Sequence, residues 1–327
     1  MSTSVALVTG ASSGIGEATA RRLHGLGHTV YAAARRIDRM ADLADAGIRT
    51  VQTDLNNDAD MVALIDRIIG DTGRIDVLVN NAGYGSYGSL EDVPMAEARR
   101  QVEINVFALA RLTQLALPHM RAQRSGYVIN ISSMGGKFGE PLGSWYHATK
   151  FAVEGLSDSI RPELSPFGIH VVVIEPGAIR TEWGQIAADN LLATSGSGAY
   201  AEQAAAVARV LGSSSDSPTM GSSPDVVADA IAKAATARRP RARYAIGTGA
   251  KPMVIASRFL PDRAMDRMMV LVYKAAARRT PATPAAAEAG ESTGDHIVIP
   301  SRSGVRRRPG QNTGSRGRGC PCSPPVR

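Results

Sequence analysis

The chain has 327 residues, 44% of them hydrophobic, enough for a substantial core in one large domain or two small ones. Its net charge of +7 comes mostly from the segment after Thr280, where seven Arg face three acids, so the basic balance is a property of the C-terminal end. Both cysteines, Cys320 and Cys322, lie in that same end, which excludes a disulfide elsewhere and fits a reducing, cytoplasmic setting; Met1 to Val5 lacks the features of a signal peptide, and no apolar run of about 18 residues offers a spanning helix.

From the N-terminus, short β-rich runs alternate with helical ones. Val5-Ala6-Leu7-Val8 reads as a strand, Gly14 toward Leu26 as a helix, and Thr29-Val30-Tyr31-Ala32-Ala33 as a second strand. A short strand near Thr50-Val51-Gln52 follows, then a helix across Ala59 to Ile69 with apolar residues at helical spacing, then a strand at Val77-Leu78-Val79-Asn80. A long helix is expected around Ile104 to Met120, a strand at Tyr127 to Ile131, a helix from Tyr146 to about Leu164, and a strand at His170 to Ile174. Several of these strands are wholly apolar, as strands covered by helices on both faces must be. The expected fold is therefore α/β, a doubly wound Rossmann-type parallel sheet of about seven strands.

Between about 178 and 224 the pattern loosens into Ala-rich helix and Gly/Ser-rich turns, among them Ser195 to Gly198 and Gly212 to Ser215, and reads as a mobile lid over a substrate. A helix at Asp225 to Ala237, a strand at Tyr244-Ala245-Ile246 and a Met-rich helical stretch complete a single domain over 1–279. The remainder, 280–327, is rich in Pro, Ala, Gly and Arg and reads as a disordered tail.

Three segments carry chemistry. The first strand runs into Thr9-Gly10-Ala11-Ser12-Ser13-Gly14-Ile15-Gly16 and then a helix, where a dinucleotide pyrophosphate can meet backbone N–H groups at a helix N-terminus. The second strand ends in Ala33-Ala34-Arg35-Arg36 with no acid before Asp38, so a 2′-phosphate is accommodated better than a bare ribose, and NADP is expected over NAD. Further on, Tyr146 and Lys150 stand four apart, which stacks a phenol beside an ammonium on one helix face. A cation there would lower the tyrosine pKa and make acid–base work possible. A Ser–His–Asp hydrolase is not expected, and no His/Cys/carboxylate cluster has metal-ligand spacing.

With these segments in order, the chain resembles the short-chain dehydrogenases/reductases over roughly Val5 to Ile246, and on to Arg279. Thr9 to Gly16 looks like that family's cofactor turn, Asn80-Asn81-Ala82-Gly83 like its sheet-stabilising motif, and Pro176-Gly177 with Thr181 like its nicotinamide-side turn. The resemblance implies a catalytic set of Asn105, Ser133, Tyr146 and Lys150, with Ser133 taken over Ser132 because it lies thirteen residues before Tyr146. In these roles Tyr146 exchanges a proton with the reacting oxygen and Ser133 hydrogen-bonds it. Lys150 lowers the Tyr146 pKa and holds the nicotinamide ribose, and Asn105 completes a relay with Lys150.

Gly10, Ser12, Ser13, Gly14, Ile15 and Gly16 would hold the pyrophosphate, and Arg35 and Arg36 the 2′-phosphate. Asp54 with Leu55, and Asn81, Ala82 and Gly83, would line the adenine side; Pro176, Gly177, Ile179 and Thr181 would line the nicotinamide side. The subgroup suggested by Tyr31 to Arg36 and the long C-terminal region is that of 17β-hydroxysteroid and retinol dehydrogenases. An apolar carbonyl or alcohol substrate is implied, with Trp183, Ile186, Leu191 and Leu192 as its lining, and homodimers or homotetramers built on Ala108–Met120 and Tyr146–Leu164. Two other readings remain: a regulator that binds the dinucleotide without turnover, and a nucleic-acid or anionic-membrane role for Arg306-Arg307-Arg308 or Arg316-Gly317-Arg318, which lacks interleaved aromatics for base stacking.

Overall fold

In the computed structural model, which describes residues 3–216 and 220–278, the wholly apolar strands lie at the centre of the sheet. The strands are β1 (Val5–Thr9), β2 (Thr29–Ala34), β3 (Arg49–Gln52), β4 (Val77–Asn80), β5 (Gly126–Ile131), β6 (Ile169–Pro176) and β7 (Arg243–Ile246). They form one sheet in the order β3-β2-β1-β4-β5-β6-β7, every neighbouring pair parallel. Every residue of β1 and β4 is buried, whereas β3 and β7 at the two edges keep partly exposed residues. The fold is the Rossmann-type doubly wound sheet that the apolar runs predict. Because β1 pairs with both β2 and β4, the strand order reverses beside it, which opens a crevice at the strands' C-terminal ends.

The helices are α1 (Gly14–Gly25), α2 (Ala41–Asp45), α3 (Asp58–Thr72), α4 (Met95–Val102), α5 (Leu109–Gln123), α6 (Ser144–Leu164), α7 (Glu182–Ser195), α8 (Ala201–Asp216), α9 (Pro224–Thr236), α10 (Ala250–Phe259) and α11 (Asp262–Arg278). Local chemistry sets their ends. Asn57 accepts a bond from Ala59 N–H at the start of α3, and Gly73, at φ 70°, ends it in the left-handed region that glycine tolerates. Ser223 caps α9 in the same way, with Pro224 in its first turn. One face of the sheet packs Val8, Val79, Ile129 and Val172 against α1 and α9 residues such as Leu23 and Ile231; the other packs Leu7, Leu78 and Val128 against Leu64, Ile68 and Leu112 of α3 and α5.

Two expectations change. The helix expected from Ile104 begins earlier, at Met95, and passes through a π-helical turn at Glu103–Ala108 before α5. Helix α4 is short, and only its Ala98 and Gln101 are buried. The stretch 178–224 holds two regular helices, α7 and α8, and the Gly212 to Ser215 run expected as a turn lies inside α8. With α11 they enclose a third core of Tyr87, Leu142, Leu191, Val207, Leu211, Met265 and Met269 above the strand ends. The basic segment 280–327, with its arginine runs and Cys320 and Cys322, lies outside the described residues.

The turn after β4 is fixed by a buried amide chain. Asn80 Nδ2 donates to Asn130 Oδ1 at 2.9 Å and to Thr113 Oγ1 at 3.0 Å, and Asn130 Nδ2 donates to Ser157 Oγ at 2.9 Å. These bonds pair the buried amide donors, each of which would otherwise cost about 1–3 kcal/mol, while Asn80 Oδ1 has no partner among the described residues. The chain joins β4, β5, α5 and α6, the elements that carry the site.

Candidate active site

A cavity of about 600 Å³ runs along the C-terminal ends of the strands. Residues from the turn after β1, the ends of β2 and β3, the turn after β4, the end of β5, α6 and the segment after β6 all line it. Of the residues proposed from sequence, Gly10, Ser12, Ser13, Gly14, Ile15, Arg35, Arg36, Asp54, Leu55, Asn81, Ala82, Gly83, Ser133, Tyr146, Lys150, Pro176, Gly177, Ile179 and Thr181 face it. Gly16 and Asn105 do not, and act from behind the wall.

At one end the backbone is shaped for a phosphate. Gly10 and Gly14 have φ of 66° and 58°. A Cβ on Gly16 would lie 2.3 Å from Gly10 O and 2.6 Å from Asn81 Nδ2, so α1 can approach the turn only through a glycine there. Asn81 Nδ2 donates to Thr9 O at 2.8 Å, and Asn81 N–H donates to Thr9 Oγ1 at 3.1 Å, tying the turn after β4 to the turn after β1. Thr181 lies over Gly14 and caps α7 by accepting a bond from Trp183 N–H at 3.3 Å.

The rim beside β2 is basic. Arg36 Nη2 donates to Ser12 Oγ at 3.3 Å and reaches Ser13 Oγ at 3.5 Å, while Arg35 and Arg36 are both exposed at the cavity mouth. Asp54 accepts from Asn56 N–H at 3.0 Å and Asn56 Nδ2 at 2.8 Å, and these bonds, with Arg35 nearby, hold its carboxyl below the usual range. A glycine cradle at a helix N-terminus fits the pyrophosphate of a dinucleotide.

At the other end, Ser133 Oγ hydrogen-bonds the Tyr146 hydroxyl and also accepts from Gly135 N–H at 3.0 Å. Ser132 Oγ is buried with no hydrogen-bond partner among the described residues. Lys150 Nζ donates to Ile131 O at 2.9 Å and lies 5.8 Å from the centre of the Tyr146 ring. Asn105, in the π-helical turn, accepts from Tyr84 N–H at 3.1 Å and donates to Tyr84 O at 2.9 Å and to Thr149 Oγ1 at 3.0 Å. A Cβ on Gly83 would lie 3.0 Å from Asn105 Oδ1 and 3.9 Å from Lys150 Nζ, so these three residues converge on one point.

Burial, rather than Lys150, dominates at the Tyr146 hydroxyl of the free chain. Burial raises its pKa well above the usual phenol value; the Ser133 bond opposes that rise and the nearby Glu140 carboxylate adds to it. Burial instead acts on Lys150, whose pKa falls to about 8. The hydroxyl of Tyr146 thus begins protonated.

Trp183 and Ile186 line the cavity as expected, but Leu191 turns into the third core and Leu192 is exposed. Sequence reasoning missed Tyr87, Glu140, His147 and Tyr273, which reach the cavity from four separate segments with no motif to connect them. The string Gly10-Ala11-Ser12-Ser13-Gly14 has the Gly-x-Ser-x-Gly spacing of a hydrolase elbow, although a Ser–His–Asp hydrolase is not expected. Among the described residues, however, Ser12 Oγ is bonded by Arg36 and by no histidine.

Comparison with known proteins agrees with this geometry. Residues 4–191 match the short chain dehydrogenase family. The chain is 33% identical to the 3-ketodihydrosphingosine reductase of Bacteroides thetaiotaomicron over 84% of its length and 99% of that protein's. It is also 33% identical to the NADPH-dependent 3-dehydrocapnine reductase of Ornithobacterium rhinotracheale, covering 80% and 95%. A metagenomic short-chain oxidoreductase solved in complex with NADP superposes with a TM-score of 0.59 at 29% identity, covering 75% of this chain and 97% of that one. The chain therefore belongs to the short-chain dehydrogenase family, whose members are NAD(P)-dependent oxidoreductases acting on carbonyl and alcohol groups.

Proposed function

We propose that the protein is an NADP-dependent reductase of the carbonyl group of an apolar small molecule. The observation that carries this is the buried Tyr146 hydroxyl, bonded to Ser133 at the far end of a cavity whose other end is a glycine cradle with a basic rim. When bound, the nicotinamide supplies the hydride. The chain's own residues do the rest. Ser133 orients the carbonyl oxygen and stabilises charge developing on it. Tyr146, whose hydroxyl keeps its proton at neutral pH because burial raises its pKa, gives that oxygen its proton. Lys150, held by Ile131 O, and Asn105 behind it serve the nicotinamide ribose and the return of a proton to Tyr146.

Names of relatives support reduction of ketones. They favour the reductases of 3-ketodihydrosphingosine and 3-dehydrocapnine over a steroid or retinol dehydrogenase subgroup. The aromatic and methionine-rich walls from α7, α8 and α11 suit an apolar chain. Exposed Phe107, in the π-helical turn, and Phe151, on α6, offer a face on which a second copy would pack.

The cofactor preference rests on Arg35 and Arg36. Replacing Arg35 with Asp removes a phosphate partner and adds repulsion, so the NADPH-over-NADH ratio of dissociation constants should fall by roughly 10- to 100-fold. Calorimetric titration of both nucleotides into the unmodified and Arg35→Asp proteins measures it, and a retained preference for NADPH would refute the assignment.

A further inference from the structure

Behind the cavity, two carboxylates and two cations close a charge ring that the reduction does not use. Glu154 on α6 and Glu175 near the end of β6 have side chains only 6% and 2% exposed. Lys137 Nζ lies 2.6 Å from Glu154 Oε2 and 3.4 Å from Glu175 Oε1. Arg243 Nε, from β7, lies 2.9 Å from the same Glu154 oxygen and 3.4 Å from the same Glu175 oxygen. Each carboxylate therefore meets both cations, and the charges of the ring cancel. Outside it, Arg243 Nη2 donates to Asp158 Oδ1 at 2.6 Å. Burying such ions costs desolvation that their attraction barely offsets, so added stability is a weak reason for the ring. A closed set of buried charges does, however, fix the spacing of the elements that carry it.

Three of its members sit beside residues of the site. Lys137 follows Ser133 by four residues, across the short turn Met134–Gly136. Glu154 follows Lys150 by four residues, one turn along α6. Glu175 immediately precedes Pro176 and Gly177, which line the cavity. The packing between the first two segments leaves no slack: a Cβ on Gly136 would lie 2.7 Å from Ser132 Oγ and 3.1 Å from both Glu154 Cγ and Lys150 O. The turn after Ser133 thus rests on α6 between Lys150 and Glu154. A shift of Lys137 is passed to Ser133, whose Oγ meets the Tyr146 hydroxyl. None of the four charged residues lines the cavity itself.

We propose that Lys137 and Glu175 are positioning residues of the reaction: through the ring with Glu154 and Arg243 they hold the Ser133 turn, α6 and the Pro176–Gly177 segment at the spacing that hydride transfer needs. This rests on the ketone-reductase reading above. Charge balance is what they contribute. Without the Lys137 ammonium, two buried carboxylates face one cation, and their repulsion drives α6 and β6 apart until one carboxyl takes up a proton. Glu175 is the one that does so, because burial and then the Glu154 carboxylate already push its pKa up, while Lys137 and Arg243 oppose that rise. Removing the Lys137 and Glu175 charges together leaves the balanced Glu154–Arg243 pair.

The test compares Lys137→Met, Glu175→Gln and the double variant with the unmodified protein, at a temperature where thermal melts show all of them folded. With NADPH and a long-chain ketone, each single variant should lose about 10- to 100-fold in kcat while its NADPH dissociation constant stays within about 3-fold. The double variant should recover to within about 3-fold of the unmodified rate. In Lys137→Met, the ratio of variant to unmodified kcat should rise as pH falls from about 8 to about 6, since protonation of Glu175 restores the balance. Independently of turnover, the emission of bound NADPH, which reports the surroundings of the nicotinamide, should move toward that of free NADPH in the single variants and return in the double. Should Lys137→Met fail to fold, Glu175→Gln against the double variant carries the same comparison. Single variants that melt earlier but keep both kcat and emission, or a double variant no better than the worse single one, would overturn the positioning role. Ketone turnover at the unmodified rate in every variant does so and leaves the reductase reading standing. The predicted emission changes without reduction of any ketone do the reverse.

Discussion

Replacing Tyr146 with Phe should lower kcat for ketone reduction by about 100- to 10,000-fold, the range that a positioned general acid supplies, and leave NADPH affinity within about 3-fold. The variant removes one hydroxyl, and the ring keeps its packing against Tyr87 and Trp183, so the fold should persist. Structurally, that hydroxyl meets Ser133 and lies at the opposite end of the cavity from the glycine cradle, which is why chemistry and cofactor binding should separate. Steady-state rates with NADPH and an apolar ketone, together with a binding titration of NADPH, measure the two effects. A variant that kept the unmodified rate would remove Tyr146 from the reaction.

Replacing Gly16 with Ala should do the opposite, weakening NADPH binding on the order of 10- to 100-fold and destabilising the protein by about 1–3 kcal/mol. The added methyl would sit 2.3 Å from Gly10 O, a backbone atom, and 2.6 Å from Asn81 Nδ2. Neither can move freely, because Gly10 is in the left-handed turn and Asn81 is bonded to Thr9 O. The start of α1 must therefore back away from the turn, and the N–H groups that would meet a pyrophosphate lose their common direction. A thermal melt reads the stability cost and a nucleotide titration reads the affinity. Unchanged values in both would mean that the cradle is not formed as described.

How much of this is legible in the sequence depends on whether a property is local. Strands such as β1 and β4 announce themselves because burial on both faces requires unbroken apolar runs. The glycine spacing and the Tyr146–Lys150 interval are local as well, since turn geometry and helical pitch act over a few residues. By contrast, α4 is only eight residues long and buries only Ala98 and Gln101, too little for the apolar pattern that starts at Ile104 to be traced back to Met95. The residue spacing placed Lys150 beside Tyr146, but the ammonium is turned to Ile131 O and the hydroxyl is enclosed by distant segments. Burial then controls the proton, and burial is a tertiary quantity. Glu140 and Tyr273 make the same point: they are 133 residues apart and meet only once α11 has folded over the strand ends. Gly16 is a further case, since its place in the fingerprint is readable while its role, packing against Gly10 O behind the cavity wall, is not.

The most direct measurement is product analysis of the unmodified protein incubated with NADPH and a panel of long-chain ketones. The reductase account predicts one molecule of secondary alcohol for each NADPH consumed with at least one ketone of the panel. Tight NADPH binding with no alcohol formed from any of them would contradict it and leave a dinucleotide-binding regulator in its place.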